Sequence, residues 1–550
     1  MDCDRISELP DSLLTQILSY LPTKVSVTTS VLSKRWENLW LRVPGLDFTV
    51  NDELPPASKC LVSFIDNFME FSHTLRMKKF LIKYHGNIYN YCGFMKWIGP
   101  AVDRGIQHLS VESLLLYNMP HNIYQSKTLV SLKLVAVGLE NPEFVVSLPC
   151  LKTMYLENVL YCHNNPLFIE KLISGCPVLE ELTFIKSIYY NRLEVLQLLR
   201  VRSQSLKSFH FTYGFQDLGK AITVEIDAPQ LKYMNIRDNQ SDRIVAKNLR
   251  SLFMIDIDTI FNVNYGSRLL PGDLSKRDII RDFLTGISSV RHMIISHRTL
   301  KILYRYSKLG PFPKFDNLYR LEASISSSML QFLTVFLESC PNLKYLILDF
   351  VVSTGPEQIE LKYVPPCLLL NLECVEIKEL MLEEQTGKKL VKYFLENSVV
   401  LKKLNMRFRD SPTINQASDI SKELLTFTNR SHKCCCVNNG KSDCGKESCS
   451  ECKLSDSKRA FCIMHLENIF CGNDGPLAVE NLISSCHVLE DLTVVSDSER
   501  ALSVREEWRS VLKPLEEAEY FSLKGLKSEG WVEVESLRDT NEIGNTCGHV

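Results

Sequence analysis

The sequence predicts an α/β chain: a small N-terminal three-helix unit followed by a leucine-rich-repeat solenoid, ending in a partly disordered C-terminal tail. Two observations carry this prediction. A short apolar cassette, L-x-x-[LMF]-x-[LIF], recurs through the middle of the chain, and ahead of it Leu9 to Trp40 holds two helical apolar faces in a self-contained pattern. Near residue 431 a polar, cysteine-rich stretch breaks the regularity, and the tail begins.

In the N-terminal stretch, LPDSLLTQILSYLPTKVSVTTSVLSKRWENLW, Pro10 stands where a helix begins without losing a needed donor. Leu13, Leu14, Ile17, Leu18 and Leu21 recur at three- and four-residue steps until Pro22 ends the run. Thr23 can cap a second segment, and Val31, Leu32, Trp36, Leu39 and Trp40 supply its apolar side. About 40 residues is close to the lower limit for independent folding, so the unit is expected to pack on a partner.

Leu46 to Pro56 reads as a connector, and Cys60 to Leu81 as a helical segment through Leu61, Phe64, Ile65, Phe68 and Phe71. Cassettes then follow at Leu129/Leu132/Leu134, Leu151/Met154/Leu156, Leu179/Leu182/Phe184, Leu206/Phe209/Phe211, Leu231/Met234/Ile236 and Leu249/Leu252/Met254. They resume at Leu343/Leu346/Leu348, Leu372/Val375/Ile377 and Leu401/Leu404/Met406, with weaker forms at Val290/Met293/Ile295 and Leu318/Leu321/Ala323. The last two apolar residues of each cassette are two apart, so in a strand they share one face while their neighbours face outward. A repeat of this kind buries its apolar face only against the next repeat, which makes the array stack. The outward candidates for recognising a partner are Thr153, Tyr155 and Glu157, Lys232, Tyr233 and Asn235, and Lys344 and Tyr345. Between Ile257 and Arg291 an insertion with turn-forming glycines and Pro271 is expected to hold a loop and a helix over Lys276 to Leu284.

The formal net charge is -2 and the pI about 6.7, which supplies no general basic field and disfavours nucleic acid. The polar N-terminus lacks an apolar signal core, and no window approaches the length of a membrane span. No P-loop, G-x-S-x-G elbow or H-E-x-x-H helix occurs, so the chain is read as a non-catalytic adaptor with no cofactor. Nine of the 19 cysteines are scattered before residue 434, mostly beside apolar neighbours, and read as reduced buried thiols. In the stretch after Ser431, Cys444, Cys449 and Cys452 with Cys462 and His465 have two close-pair spacings suited to zinc. No second finger-like element accompanies them, so no metal site is assigned. Leu466 to Thr493 aligns without gaps to Leu156 to Thr183 at a constant offset of 310, with 15 of 28 residues identical. The tail therefore carries a second copy of one repeat, for which a recombined or fused gene is the simplest origin.

ISELPDSLLTQILSYLPTK followed by TSVLSKRWENLW resembles the F-box, over Ile6 to Pro44. The GCPVLEEL-like wording of the repeats resembles plant F-box proteins, and Tyr363 to Phe427 resembles the FBD domain that follows such repeats. This resemblance implies a substrate receptor of an SCF-type ubiquitin ligase, in the cytoplasm or nucleus. A Skp-family adaptor, itself bound to a cullin, would be held through Leu9, Pro10, Leu13, Ile17, Leu18, Leu21, Pro22, Val31, Leu32 and Trp36. The repeats would hold a target protein. The same ten residues are expected to double as the core of the small unit. Thr28 departs from the small residue or Arg common at its position, and the alternative is a non-degradative scaffold with a degenerate F-box. The implied division is 1–50 F-box, 51–125 connector and first irregular repeats, 126–360 repeat array, 361–430 FBD-like domain, 431–465 cysteine-rich linker and 466–550 duplicated fragment and tail.

Overall fold

The structure, a computed structural model, describes residues 6, 8–51, 63–70, 77–85, 95–113, 118–161, 167–187, 197–214, 222–239, 241–261, 263, 274–351, 361, 363–380, 385–408 and the strand segments 461–467, 491–495, 521–524 and 531–536. It divides into two compact units, residues 1–289 and 290–550.

In the first unit, helices α1 (Asp11–Leu18) and α2 (Thr23–Thr28) are followed by helical turns at Thr29–Val31 and Leu39–Arg42. The strands then run β1 (Gly45–Asn51), β2 (Lys79–His85), β3 (His108–Ser113), β4 (Ser131–Val135), β5 (Gly138–Leu139), β6 (Thr153–Glu157), β7 (Leu160–Tyr161), β8 (Glu181–Lys186), β9 (Leu198–Arg202), β10 (Ser208–Tyr213), β11 (Ile222–Asp227), β12 (Tyr233–Asp238), β13 (Ser241–Lys247) and β14 (Met254–Thr259). β1, β2, β3, β4, β6, β8, β10, β12 and β14 are parallel neighbours in that order. Their register does not slip. Leu46, Phe80, Leu109, Leu132, Met154, Leu182, Phe209, Met234 and Ile255 form one buried line, and Phe48, Ile82, Val111, Leu134, Leu156, Phe184, Phe211, Ile236 and Ile257 form the next. Each such side chain contributes roughly 1.5–3 kcal/mol on burial, and it is buried only because a neighbouring rung covers it.

Three sequence expectations change here. The stretch taken as a connector contains β1, and the segment taken as helical over Cys60 to Leu81 is a helix only at 63–70 among the described residues, with β2 beginning at Lys79. The cassette placed at Leu249/Leu252/Met254 sits three residues later, at Leu252/Ile255/Ile257. The pairing of Met234 with Ile255 and Ile236 with Ile257 fixes it there, and Leu249 is buried in the turn ahead of it. Behind the sheet lies more than helices: β9, β11 and β13 form a second parallel sheet, which the helices Phe168–Ser174 and Leu274–Gly286 adjoin. The latter helix contains the span expected over Lys276 to Leu284. Its Phe283 packs on Phe261 at 5.3 Å and Lys276 pairs with Asp242 at 2.8 Å, so it covers the sheet.

No linker separates the N-terminal helices from the first rung. The Pro44 carbonyl accepts from the N–H groups of Lys78 at 2.7 Å and Lys79 at 3.1 Å, and the Asp47 N–H donates to Thr23 Oγ1 at 2.8 Å. Trp40 lies 5.7 Å from Phe64 and 6.0 Å from Phe68, ring centre to ring centre, and Phe48 lies 5.9 Å from Phe64.

The second unit repeats the plan with β15 (His292–Ile295), β16 (Arg320–Ser326), β17 (Tyr345–Val351), β18 (Cys374–Leu380) and β19 (Lys403–Phe408), all parallel. Helices His297–Tyr306, Leu330–Glu338, Pro366–Leu370 and Gln385–Asn397 alternate with them. Ser296 caps the first by accepting from the Thr299 N–H at 3.3 Å. In the tail, β20 (Phe461–Glu467) pairs in parallel with β19 and β21 (Asp491–Val495) in parallel with β20. β22 (Phe521–Lys524) and β23 (Trp531–Ser536) complete the segment, with β23 antiparallel to β21 and β22 antiparallel to β23. Of the scattered cysteines, Cys176, Cys340 and Cys367 are buried as expected, whereas Cys150 is exposed.

Gly175, at the end of the helix Phe168–Ser174, touches the neighbouring repeat so closely that a Cβ there would lie 2.6 Å from Val146 Cγ1 and 2.7 Å from the Val146 carbonyl oxygen. Gly175→Ala is expected to cost about 1–3 kcal/mol, read as a lower denaturation midpoint with an unchanged slope against denaturant.

Candidate functional site

The N-terminal unit sorts its apolar residues onto two adjacent stripes of α1. Leu14 and Leu18 point inward and, with Trp36 and Leu39, make the core, against which Leu9, Leu21, Trp40 and Val43 pack. Leu13, Ile17 and Tyr20 follow the same helical spacing one residue earlier, and they are 44%, 43% and 79% exposed. Beyond α2, Val31 and Leu32 are 87% and 65% exposed. The ten residues expected to serve both docking and folding therefore divide. Leu18 and Trp36 are core, Leu9 and Leu21 flank it, and Leu13, Ile17, Val31 and Leu32 face out, with Pro10 and Pro22 exposed at the starts of α1 and α2. The physical reason is that α1 is apolar over a wide arc, only part of which this small core can cover. Tyr20 and the 44% exposed Val25 were not singled out in the sequence, although Tyr20 continues the Leu13/Ile17 spacing.

Charged residues hold this unit in shape. Asp11, in the first turn of α1, pairs with Arg35 at 2.9 Å and Arg42 at 3.2 Å, and Arg35 also donates to the Leu9 carbonyl. A carboxylate at a helix start suits the helix dipole, and each partly exposed pair contributes at most about 1 kcal/mol.

The second candidate surface is the outward face of the parallel sheets. In the first unit Lys133, Tyr155, Thr183, His210, Asn235 and Asp256 stand in one register line. Lys133 Nζ lies 5.0 Å over the Tyr155 ring, and the Tyr155 hydroxyl donates to Glu157 Oε2 at 2.6 Å. Burial, and then the Glu157 hydrogen bond, push the Tyr155 phenol up to about 12, so it stays a donor at neutral pH. Thr153 precedes this pair on the same face of β6. Asn235 Nδ2 donates to Asp256 Oδ2 at 2.7 Å, and Tyr233, 49% exposed, stands 6.3 Å from the exposed ring of Phe253.

Lys232 and Lys344 are not strand residues. Both immediately precede their strands, on the rim. Lys344 is bonded to Glu373 at 3.1 Å, and Lys402 holds the other oxygen of that carboxylate at 3.0 Å. Tyr345 packs on Tyr319 at 5.0 Å, and Lys344 Nζ lies 5.7 Å from the Tyr319 ring. The exposed aromatics Phe253 and Tyr319 escaped the sequence reading because they lie just before strands, outside the outward positions of the cassette.

Among the described residues no three His, Cys, Asp or Glu side chains converge as ligands for a metal ion. Cys462 and His465 belong to the backbone of strand β20. Cys444, Cys449 and Cys452 lie outside the described residues. No described helix is long and apolar enough to cross a membrane.

Family profiles match four parts of the chain: the F-box domain at residues 6–46, the leucine-rich repeats of an FBD-associated F-box protein at 94–257, FBD at 358–406, and a leucine-rich repeat at 463–487. The chain is 62% identical over 440 residues to F-box/FBD/LRR-repeat protein At2g26030 of Arabidopsis thaliana, covering 79% of this chain and 99% of that protein. Putative F-box/FBD/LRR-repeat protein At5g44950 of the same plant is 56% identical over 442 residues, with the same shares. F-box/FBD/LRR-repeat protein At5g44980, also from Arabidopsis thaliana, is 52% identical over 438 residues, again 79% of this chain and 99% of that protein.

On the outward face of the second unit, Glu322 accepts from Arg320 Nε at 2.9 Å and lies 2.8 Å from His292 Nε2. The hydrogen bond with His292, opposed by burial and reinforced by Arg320, pushes the Glu322 carboxyl from 4.5 down to about 2. A depressed folded-state value means that the ionised form stabilises the fold fully above about 4.5, and that this contribution disappears as pH falls through about 2. Glu322→Gln is expected to be about 1–2 kcal/mol less stable than the parent at pH 7. In paired denaturant titrations the gap should close on going from pH 4.5 towards 2.

Proposed function

The chain belongs to the plant F-box/FBD/leucine-rich-repeat family, and on that premise we propose that it is the substrate-recognition subunit of an SCF-type ubiquitin ligase. A Skp-family adaptor, and through it a cullin, takes the exposed apolar residues of the N-terminal unit. The outward face of the sheets holds a target protein for ubiquitination and proteasomal degradation, in the cytoplasm or nucleus. This chain supplies proximity; the bond chemistry belongs to other subunits.

The observation that carries this reading is the exposure of Leu13, Ile17, Val31 and Leu32 beside a complete core of Leu14, Leu18, Trp36 and Leu39. Large apolar side chains left in water around a small finished core are the mark of a protein-binding surface. The outward face mixes Lys133, Arg237, Glu157 and Asp256 with Tyr155 and Tyr233, which suits a protein surface of mixed charge better than a polyanion.

The test is calorimetric titration of the full-length chain with a plant Skp adaptor. Submicromolar binding is expected, weakened at least about 100-fold by Val31→Asp with Leu32→Asp, while the thermal midpoint stays within about 2 °C. Leu18→Ala, by contrast, should cost about 2–5 kcal/mol of stability. Absence of binding by the folded parent chain would overturn the ligase reading and leave a scaffold whose F-box no longer docks.

A further inference from the structure

The relatives account for 79% of this chain while spending 99% of their own length, so about a fifth of the chain has no counterpart in them. The profiles from F-box through FBD end at residue 406, yet a further repeat matches at 463–487. That repeat overlaps the segment Leu466 to Thr493, whose sequence copies Leu156 to Thr183 at an offset of 310.

The copy extends to backbone pairing. In the first unit β6 pairs with β8 as Met154 with Leu182, Tyr155 with Thr183, Leu156 with Phe184 and Glu157 with Ile185. In the tail β20 pairs with β21 as Met464 with Leu492, His465 with Thr493, Leu466 with Val494 and Glu467 with Val495. Every one of these pairs is the earlier pair displaced by 310. Equally, β20 meets β19 in parallel, with Leu404 opposite Cys462 and Met406 opposite Met464, as one further repeat of the array would. Antiparallel β23 then follows on β21, so the parallel progression stops there.

We propose that the duplicated segment is a working C-terminal turn of the solenoid: residues 461–467 occupy the open edge of β19 within the same chain, and the β21–β23–β22 ribbon closes the end. A bare parallel edge offers unpaired N–H and C=O groups to any passing strand. Here the chain's own second copy of a repeat covers them, even though 52 residues, 409–460, separate it from β19. Loop closure over such a length costs only a slowly growing entropy, so a register-matched strand can win against it.

The pairing geometry supplies an internal control. Lys403 donates its N–H to the Glu373 carbonyl, so Lys403 and Asn405 direct their backbone groups at β18, and the alternate residues Leu404 and Met406 direct theirs at β20. Residue-resolved hydrogen exchange on the full-length protein is therefore decisive. The amides of Lys403, Leu404, Asn405 and Met406 should exchange slowly in the parent chain. In Ile463→Pro, which removes a β20 donor and locks its φ, Leu404 and Met406 should exchange at least about tenfold faster. Lys403 and Asn405 should keep their protection, and unchanged exchange in β16 and β17 would verify that the unit is folded. Rapid exchange of Leu404 and Met406 in the parent, or rates untouched by Ile463→Pro, would overturn the proposal and leave the second copy as an unattached relic of duplication.

Discussion

The constraint on which the large sheet of the first unit depends is the unbroken register of its nine parallel strands. A repeat of 21 to 29 residues sets two apolar strand side chains inward, and each is covered by its counterparts in the adjacent strands. Leu182 and Phe184 are dry only because Met154 and Leu156 stand on one side and Phe209 and Phe211 on the other. A slip of one residue anywhere would exchange this line for Thr183 and Ile185 and send the leucines to solvent. The close approach at Gly175 and the ion pair of Lys344 with Glu373 are consequences of that alignment, since each joins residues one repeat apart. Ladders of this kind turn the outward face into a surface whose chemistry is set line by line.

The N-terminal unit solves a different problem. It has too few residues to bury all its leucines, and it leaves one stripe of α1 in water while closing its core with the neighbouring stripe. Exposed and core apolar positions are thereby divided between residues adjacent in sequence, Leu13 from Leu14 and Ile17 from Leu18. A helix makes such a division possible because consecutive positions lie about 100° apart.

Much of this was legible in the sequence, for stateable reasons. The cassettes could be found because an apolar pair two apart, led by a leucine three earlier, recurs at steps of about 20 to 30 residues. β1 to β3 were missed because that leading leucine is absent and only alternation remains, as in Leu46/Phe48 and Phe80/Ile82. The slip at Leu249 arose because Leu249, Leu252 and Met254 satisfy the same pattern as Leu252, Ile255 and Ile257; only pairing to β12 chooses between them. Which α1 stripe faces in was not legible, since both are made of large apolar side chains. The commitment of Lys344 was hidden for a similar reason: Glu373 lies 29 residues away, and only the fold makes them neighbours.

The joint between the N-terminal helices and β1 turns the first unit into a lever. Thr23 holds the Asp47 N–H, and Trp40 leans on the rings of Phe64 and Phe68, so a force applied to α1 is passed to the first rung. Nine parallel strands run at about 4.8 Å per step, which places β14 nearly 40 Å from β1 along the ladder. Displacement of the joint is therefore felt along the whole ladder. The orientation of β14 relative to the N-terminal helices is set in part by the packing of three aromatic rings, Trp40, Phe64 and Phe68.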